Sequence, residues 1–504
     1  MTDLSRRSFV TTGTLGLIGL AGLGLAGCAP RGTEEGTSGS EDWSKEADVV
    51  VVGFGGAGGA AAIEAHANGA SVILLDANQT PGGASSINGG VVQAAGSSVQ
   101  KAAGVNDSAE QWLECLRLEI GVGFNEDHMK AMAQGSAETI DWLLSLGASI
   151  PAEIHQTDTR AIPDSGLYFS DASLEFFPDL PPTPRGHTLA GHGGGFAKAL
   201  QSGVDQTDIE VLLETPATQL VQDKQGRIIG VVAKTGSKEL RIRARRGVIV
   251  STGHFSLNES MVAKHLPQAL QLAKSTPSAH PSATGDGQRM CGAVGADLVG
   301  MGNGTFYQYG AGYETGIRSI YVNKFAQRYW SEQGYHENYR GTMLMQQPDQ
   351  VGFAIFDENI RAQYGELATD DIEFSANSIE ELAVACDLSP QALQETVARY
   401  NSYCEQGSDP DFGKQAAFLT PLSTPPFYAT SLAYSWMTSG GMSIDTEARV
   451  LDIEGQAIPG LYAAGMCAAG AYGKLNPGSG LNMAWNFYTG RLAGKSAATR
   501  EVNA

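Results

Sequence analysis

Cysteine is scarce in this sequence and badly spaced for redox work. There are six in 504 residues, Cys28, Cys115, Cys291, Cys386, Cys404 and Cys467, and no two of them form a CxxC pair. That spacing excludes the usual attachment motif of a c-type haem and the close cysteine run of a ferredoxin cluster. Electron transfer here needs another cofactor. Positive charge is short as well, with 33 lysines and arginines against 54 acids and a formal net charge of −21. Such a surface repels phosphate backbones and excludes nucleic acid as a partner. The histidines are not spaced as an obvious metal site, and no metal is expected. Glycine, by contrast, is abundant at 64 residues, about twice the usual share of roughly 7%. The glycines gather in short loops, as they do where backbone must approach a ligand closely.

The beginning of the chain reads as an address. Ser5-Arg6-Arg7-Ser8-Phe9-Val10 is a twin-arginine pattern, and the apolar run behind it ends in Leu25-Ala26-Gly27-Cys28, which resembles a lipobox. The run is about 17 residues long and rich in glycine, a poor anchor helix. The expectation is a twin-arginine (Tat) signal peptide over 1–28, acylation of Cys28, and a flexible Gly/Ser-rich linker over 29–46 that tethers the body to the cell envelope. Export in the folded state suits a protein that takes up its cofactor in the cytoplasm.

From Ala47 the pattern changes. Ala47-Asp48-Val49-Val50-Val51-Val52 reads as a buried strand, Gly53-Phe54-Gly55-Gly56-Ala57-Gly58 follows directly, and an alanine-rich helix start comes next. A second strand, Ser71 to Leu75, ends at Asp76. Strand, GxGxxG, helix, strand and acid stand in the order of a dinucleotide fold. Gly53 and Gly55 permit the tight turn and the approach of a pyrophosphate, Gly58 lets the helix pack on the strand, and the helix N-terminus faces the phosphates. Asp76 is expected on the adenosine ribose.

Several further segments resemble one family, the FAD-dependent fumarate reductase/succinate dehydrogenase flavoproteins, which also include 3-ketosteroid dehydrogenases. Pro81-Gly82-Gly83-Ala84-Ser85-Ser86-Ile87-Asn88-Gly89-Gly90 resembles the loop that reaches the isoalloxazine ring, and it lacks the histidine of a covalent flavin link. The segments Arg245 to Gly253, Thr284 to Met290 (TGDG), Val322 to Glu332 (VNxxGxRFxxE, with Ala326 for its glycine), Ile458 to Gly465 (IPGLYAAG) and Gly490 to Gly494 follow in family order. The resemblance covers essentially everything from Ala47 onward. It implies an α/β fold, a Rossmann-like FAD-binding domain over 47–302 and 428–504 with an inserted α+β cap domain over 303–427. Substrate would sit between the two. It also implies noncovalent FAD, held by Gly53, Gly55, Gly58, Asp76, Gly82, Gly83, Ser85, Ser86, Gly89, Gly90, Thr252, Gly253, Asp286, Gly465, Ser479, Gly480 and Asn482. The glutamate usual after YAAG is Met466 here.

The family's chemistry saturates or desaturates a carbon–carbon double bond conjugated to a carbonyl, with hydride from flavin N5 and a proton delivered by an arginine. The resemblance puts that arginine at Arg328; the competing reading is a structural ion pair between Arg328 and Glu332. The dicarboxylate clamp of the soluble fumarate reductases aligns with Tyr307, Met437 and Asn476, all neutral. A dicarboxylate would be poorly matched in such a pocket, so an enone, acrylate or steroid-like ketone is expected. Tyr307 is the expected hydrogen-bond donor to a developing enolate, with Tyr434 and Tyr472 as weaker choices; Phe306, Tyr309 and Tyr313 complete an aromatic run that equally suits a core. His187 and His192 lie in glycine-rich segments with roles left open. Two other functions remain, fumarate reductase proper and a flavin-loaded binding protein without turnover. As the chain carries no haem or cluster motif, a separate cytochrome or quinone-linked electron carrier is the expected partner.

Overall fold

A computed structural model describes residues 42–501 apart from positions 122, 156–161, 171–181, 273, 311, 334–336, 365–371, 470–472, 474, 475 and 477. Cys28 with its signal peptide, most of the tether and Tyr472 lie outside the described residues.

Four consecutive valines leave a strand no polar face, so it must be covered on both sides. β1 (Lys45–Val52) is accordingly buried at Val49 to Val52. It is followed by α1 (Gly56–Ala67) and β2 (Val72–Leu75), the expected strand–helix–strand order, and β3 (Glu210–Leu212) and β4 (Lys238–Val250) extend the sheet. β1 lies between β2 and β4, with β3 beyond β2, all parallel; Val50 stands opposite Ile73 and Val248. An antiparallel hairpin, Ala217–Gln222 and Ile228–Thr235, pairs along the first half of β4.

Beyond β4 the chain builds a second core. Its centre is an antiparallel sheet in the order Ile320–Asn323, Gly352–Asp357, Phe427–Ser431, Phe374–Ala376. Phe353, Phe356, Leu393, Tyr400 and Tyr428 fill it. The span expected as cap supplies most of this core, which also takes in Phe255, Val262, Leu266, Leu432 and Trp436. Beside it run β5 (Gly304–Tyr309), α2 (Glu337–Met345) and β6 (Ala433–Thr438). β5 and β6 are antiparallel, with Tyr307 opposite Ser435, and Ser275–Pro277 pairs on the far edge of β6.

The last segment returns to the first sheet. β7 (Arg449–Leu451) pairs antiparallel with β8 (Ala457–Ala463), and β8 lies parallel to β4 with Leu461 opposite Val248. α3 (Leu481–Thr499) closes on α1. The two helices touch at backbone distance: a Cβ on Gly490 or Gly494 would stand 2.3 Å from the carbonyl oxygen of Ala57 or Ala61. The first sheet is thus made from both ends of the chain, and the second core is inserted between them.

Candidate active site

The GxGxxG turn works through two close contacts. Gly53 has φ of +106°, and a Cβ there would meet the Ser251 carbonyl oxygen at 2.6 Å; one on Gly58 would fall 1.7 Å from the Gly53 oxygen. Only glycine fits either place. The turn opens one end of a cleft lined by Gly53, Gly55, Asp76, Gly83, Ser85, Thr252, Gly253, Asp286 and Gly465. Nine of the expected cofactor residues therefore share one wall system. Asp76 is buried there, accepting from the Phe54 N–H at 2.6 Å on one oxygen and from the Asn78 N–H at 2.7 Å on the other. Asp286 accepts from the Thr284 hydroxyl at 2.7 Å.

A second cleft adjoins the first. Ser85, Gly89, Tyr307, Ser479, Gly480 and Asn482 line it together with Met437 and Asn476. The three neutral positions aligned with the dicarboxylate clamp, far apart in sequence, thus face one space. Tyr307 and Met437 are diagonal neighbours across β5 and β6, and the Tyr307 hydroxyl reaches Met437 Sδ at 3.3 Å. Ser85, His254, His280, Met466 and Asn486 line both clefts and mark their junction. Neither histidine carries a motif signal of its own: His254 follows Gly253 directly, and His280 stands four residues before the TGDG segment. Gly58, Gly82, Ser86 and Gly90 line neither cleft and act behind the wall. Gly82, at φ of +111°, donates its N–H to the Phe54 carbonyl at 2.6 Å, and Ser86 donates to the Gly83 carbonyl at 2.7 Å.

Arg328 is placed elsewhere. Its segment is a turn, not a helix: Val322 and Arg328 bridge across it, and Ala326 takes φ of +58° at the tip side. The guanidinium forms a forked pair with Glu332 at 2.9 and 2.8 Å and a second contact to Asp409 at 2.9 Å. Lys414 adds a cation 3.3 Å from Glu332. Tyr400 and Phe412 hold the guanidinium between them at 5.0 and 5.1 Å. Burial alone would push Glu332 up, but Lys414 and Arg328 overcome it and hold the carboxylate below its ordinary range. Burial pulls Arg328 down and the two carboxylates more than restore it, above the ordinary value. Lys414, buried among them, falls to about 8. Arg328 lines neither cleft and stands in the second core as the ion-paired partner of Glu332, the competing reading of the sequence.

Sequence reasoning passed over Arg340. It is buried on α2 and donates to the Tyr321 hydroxyl at 3.4 Å. α2 presses directly on β5: a Cβ on Gly341 would lie 2.1 Å from the Phe306 carbonyl oxygen and 3.1 Å from the Tyr307 carbonyl carbon. Arg340, which like Arg328 lines neither cleft, therefore stands beside the strand that presents Tyr307. The signal in the sequence was an Arg-Gly pair inside a helix, which has no motif value by itself.

The remaining residues resolve as scaffold. His187 is fully buried, with Nδ1 on the Arg185 carbonyl at 2.8 Å and Nε2 on Ser97 Oγ at 2.7 Å, and burial drops it to about 4. His192 starts the helix His192–Asp205 and meets the Gly89 carbonyl at 3.0 Å. Tyr434 binds the Gln350 carbonyl at 3.2 Å. Among the described residues no cluster of His, Cys, Asp and Glu could hold a metal ion.

An FAD fits these walls. The glycine turn would be filled by any Cβ, and Asn486 Oδ1, at the junction of the clefts, is a buried acceptor with no partner in the protein. A family model described as an FAD binding domain matches residues 48–483. The chain belongs to the FAD-dependent fumarate reductase/succinate dehydrogenase flavoprotein family. It is 29% identical to an NADH:fumarate oxidoreductase of Klebsiella pneumoniae (strain 342), over 93% of this chain but 49% of that protein, and so spans about half its length. It is 30% identical to a vinyl phenol reductase of Lactiplantibacillus plantarum, over 90% of this chain and 96% of the relative. Among solved structures, a 3-ketosteroid-Δ4-(5α)-dehydrogenase of Rhodococcus jostii RHA1, in complex with 4-androstene-3,17-dione, is 31% identical with a TM-score of 0.81, covering 91% of this chain and 98% of that one. This family member is an FAD-dependent oxidoreductase acting on CH–CH groups.

Proposed function

We propose that the protein reduces, or in the reverse direction forms, a carbon–carbon double bond conjugated to a carbonyl in a substrate less charged than a dicarboxylate, of the enone, acrylate or 3-ketosteroid kind. The observation that carries this is the second cleft, whose lining among the described residues holds no Lys, Arg, Asp or Glu and has Tyr307, Met437 and Asn476 at the clamp positions. A substrate with two carboxylates would leave its charges unmatched there, a cost of several kcal/mol each. Bound FAD, held noncovalently, supplies the hydride. The Tyr307 hydroxyl donates to the substrate carbonyl oxygen as it gains negative charge. Arg340, beside the Tyr307 strand, takes the proton-delivery role in place of Arg328. A guanidinium is too weak an acid to give up its proton for good, so a proton from solvent replaces the one it delivers.

The body works outside the cytoplasm, tethered through a lipid on Cys28, and draws electrons from a separate cytochrome or quinone-linked carrier. The test is anaerobic. The exported protein is reduced with a viologen, and enones, acrylates, steroids and fumarate are compared as oxidants. Reoxidation by a neutral ketone and not by fumarate is the expected outcome; rapid fumarate turnover overturns the neutral-pocket reading. Arg340→Gln should lose about a hundredfold or more of that rate with FAD retained, and Arg328→Gln should chiefly lose stability. The opposite pattern restores Arg328.

A further inference from the structure

Large apolar side chains exposed singly on a surface are ordinary, but two of them share the second cleft. Ile87 is 66% exposed and Ile162 39%, and of the large exposed apolar side chains among the described residues these two alone line it. They border the same glycine. A Cβ on Gly89 would stand 2.6 Å from Ile162 Cδ1, so Ile162 lies over the loop where a side chain is missing. Ile87 sits two residues before Gly89, and the loop is tied down on both sides. The Asn88 carbonyl accepts the Gly193 N–H at 3.0 Å, Asn88 Oδ1 accepts the Gly90 N–H at 2.7 Å, and the Gly89 carbonyl meets His192 Nδ1 at 3.0 Å. A Cβ on Gly193 would come within 2.7 Å of backbone atoms of Ser85, Ser86 and Asn88, so the start of the helix His192–Asp205 backs the loop at contact distance. Ile87 is therefore held in the open by a fixed backbone.

We propose that Ile87 and Ile162 form the specificity rim of the second cleft and receive the apolar body of the substrate, a hydrocarbon or aromatic group carried on the conjugated double bond of a ketone. The cleft that holds Tyr307 runs on to this rim, and Met437, Met466 and Met483 line it as well. Thioether side chains are unbranched and polarisable, so they shape themselves to a ring or a chain. Among the described residues no Lys or Arg lines the cleft to balance a carboxylate, and a short acrylate would leave both isoleucines in water. A ketone with an apolar body meets both conditions. It brings no charge, and it takes the exposed isoleucine surface out of water as it binds. The inference rests on the reading of this cleft as the substrate site and narrows its substrate to ketones of that kind.

Two enones that differ only in that body provide the test: pent-3-en-2-one, which carries a methyl group, and 4-phenylbut-3-en-2-one, which carries a phenyl ring. Each is titrated into the full-length, FAD-loaded protein in its oxidised state, where no hydride is available, and binding is read from the flavin absorption. Wild type should bind the phenyl enone about tenfold or more tightly than the methyl one, as expected for burying several more carbons. Ile87→Ser and Ile162→Ser should each lower that preference about threefold or more, and Ile162→Ser should leave the affinity for the methyl enone within about twofold. Equal binding of the two enones by wild type, or an undiminished preference in either variant, overturns the proposal. Where a serine variant loses its FAD, Ile87→Ala or Ile162→Ala is read in its place; loss of FAD from both substitutions assigns that isoleucine to the flavin ring and also overturns it. Viologen-reduced protein separates the two readings. Enones that bind with this pattern but are never reduced defeat the function proposed above and leave the rim standing, and enones reduced without the pattern do the reverse.

Discussion

Ala326 occupies a backbone conformation that its side chain resists. At φ of +58° and fully buried, it stands where the family motif has glycine, and an L residue there costs about 1–2 kcal/mol. Ala326→Gly should therefore stabilise the fold by about 1 kcal/mol once the freer unfolded chain is counted, read as a higher urea midpoint; a lower midpoint would mean that packing of the methyl group outweighs the strain. Glu332 is the opposite case. Its removal by Glu332→Gln leaves Arg328 and Lys414 buried with one carboxylate between them, which should cost on the order of 3–5 kcal/mol, seen in the same measurement. Tyr307→Phe keeps the ring against Met437 and removes only the hydroxyl. Turnover should fall by about 10²- to 10³-fold with FAD content unchanged; a loss of less than twofold would assign Tyr307 to packing.

At the scale of elements, the strand Gly186–Thr188 carries a hidden pH dependence. It pairs with Val91–Gln93 and buries His187 in its neutral form. The unfolded imidazole has a pKa near 6.5 and the folded one near 4. In that interval the unfolded chain binds the extra proton, so stability is full above about pH 6.5 and is lost as pH falls toward 4. The loss amounts to about 3 kcal/mol. Denaturant midpoints across this window should fall, and His187→Asn should flatten the slope. The pairing of α1 with α3 obeys a different constraint, a backbone approach that a single methyl group at Gly490 or Gly494 would prevent.

On the scale of the whole molecule, the FAD walls come from residues near 53, 85, 252, 286, 465 and 486, so bound cofactor ties both ends of the chain to the segment between them. Ligand that binds only the folded state adds about 2.7 kcal/mol at a hundredfold excess over its Kd. Removing FAD should lower the melting temperature by several degrees, and adding it back should restore both colour and midpoint. A melt indifferent to FAD would place the cofactor outside the cooperative unit.

The dinucleotide half was legible in the sequence because its signals are local. A valine run, a glycine turn and an acid at the end of the next strand are fixed by sterics over about 30 residues, and their order along the chain carried the family. That the three clamp positions carry no charged side chain was legible too, through Tyr307, Met437 and Asn476. What the sequence could not decide was direction. An arginine and a glutamate four residues apart look alike whether they face a substrate or each other, and only the arrival of Asp409 and Lys414 from some 80 residues away commits Arg328 to the core. The same holds for His187, held neutral because packing buries its ring against Ser97, 90 residues away along the chain, where a charge would lose its water.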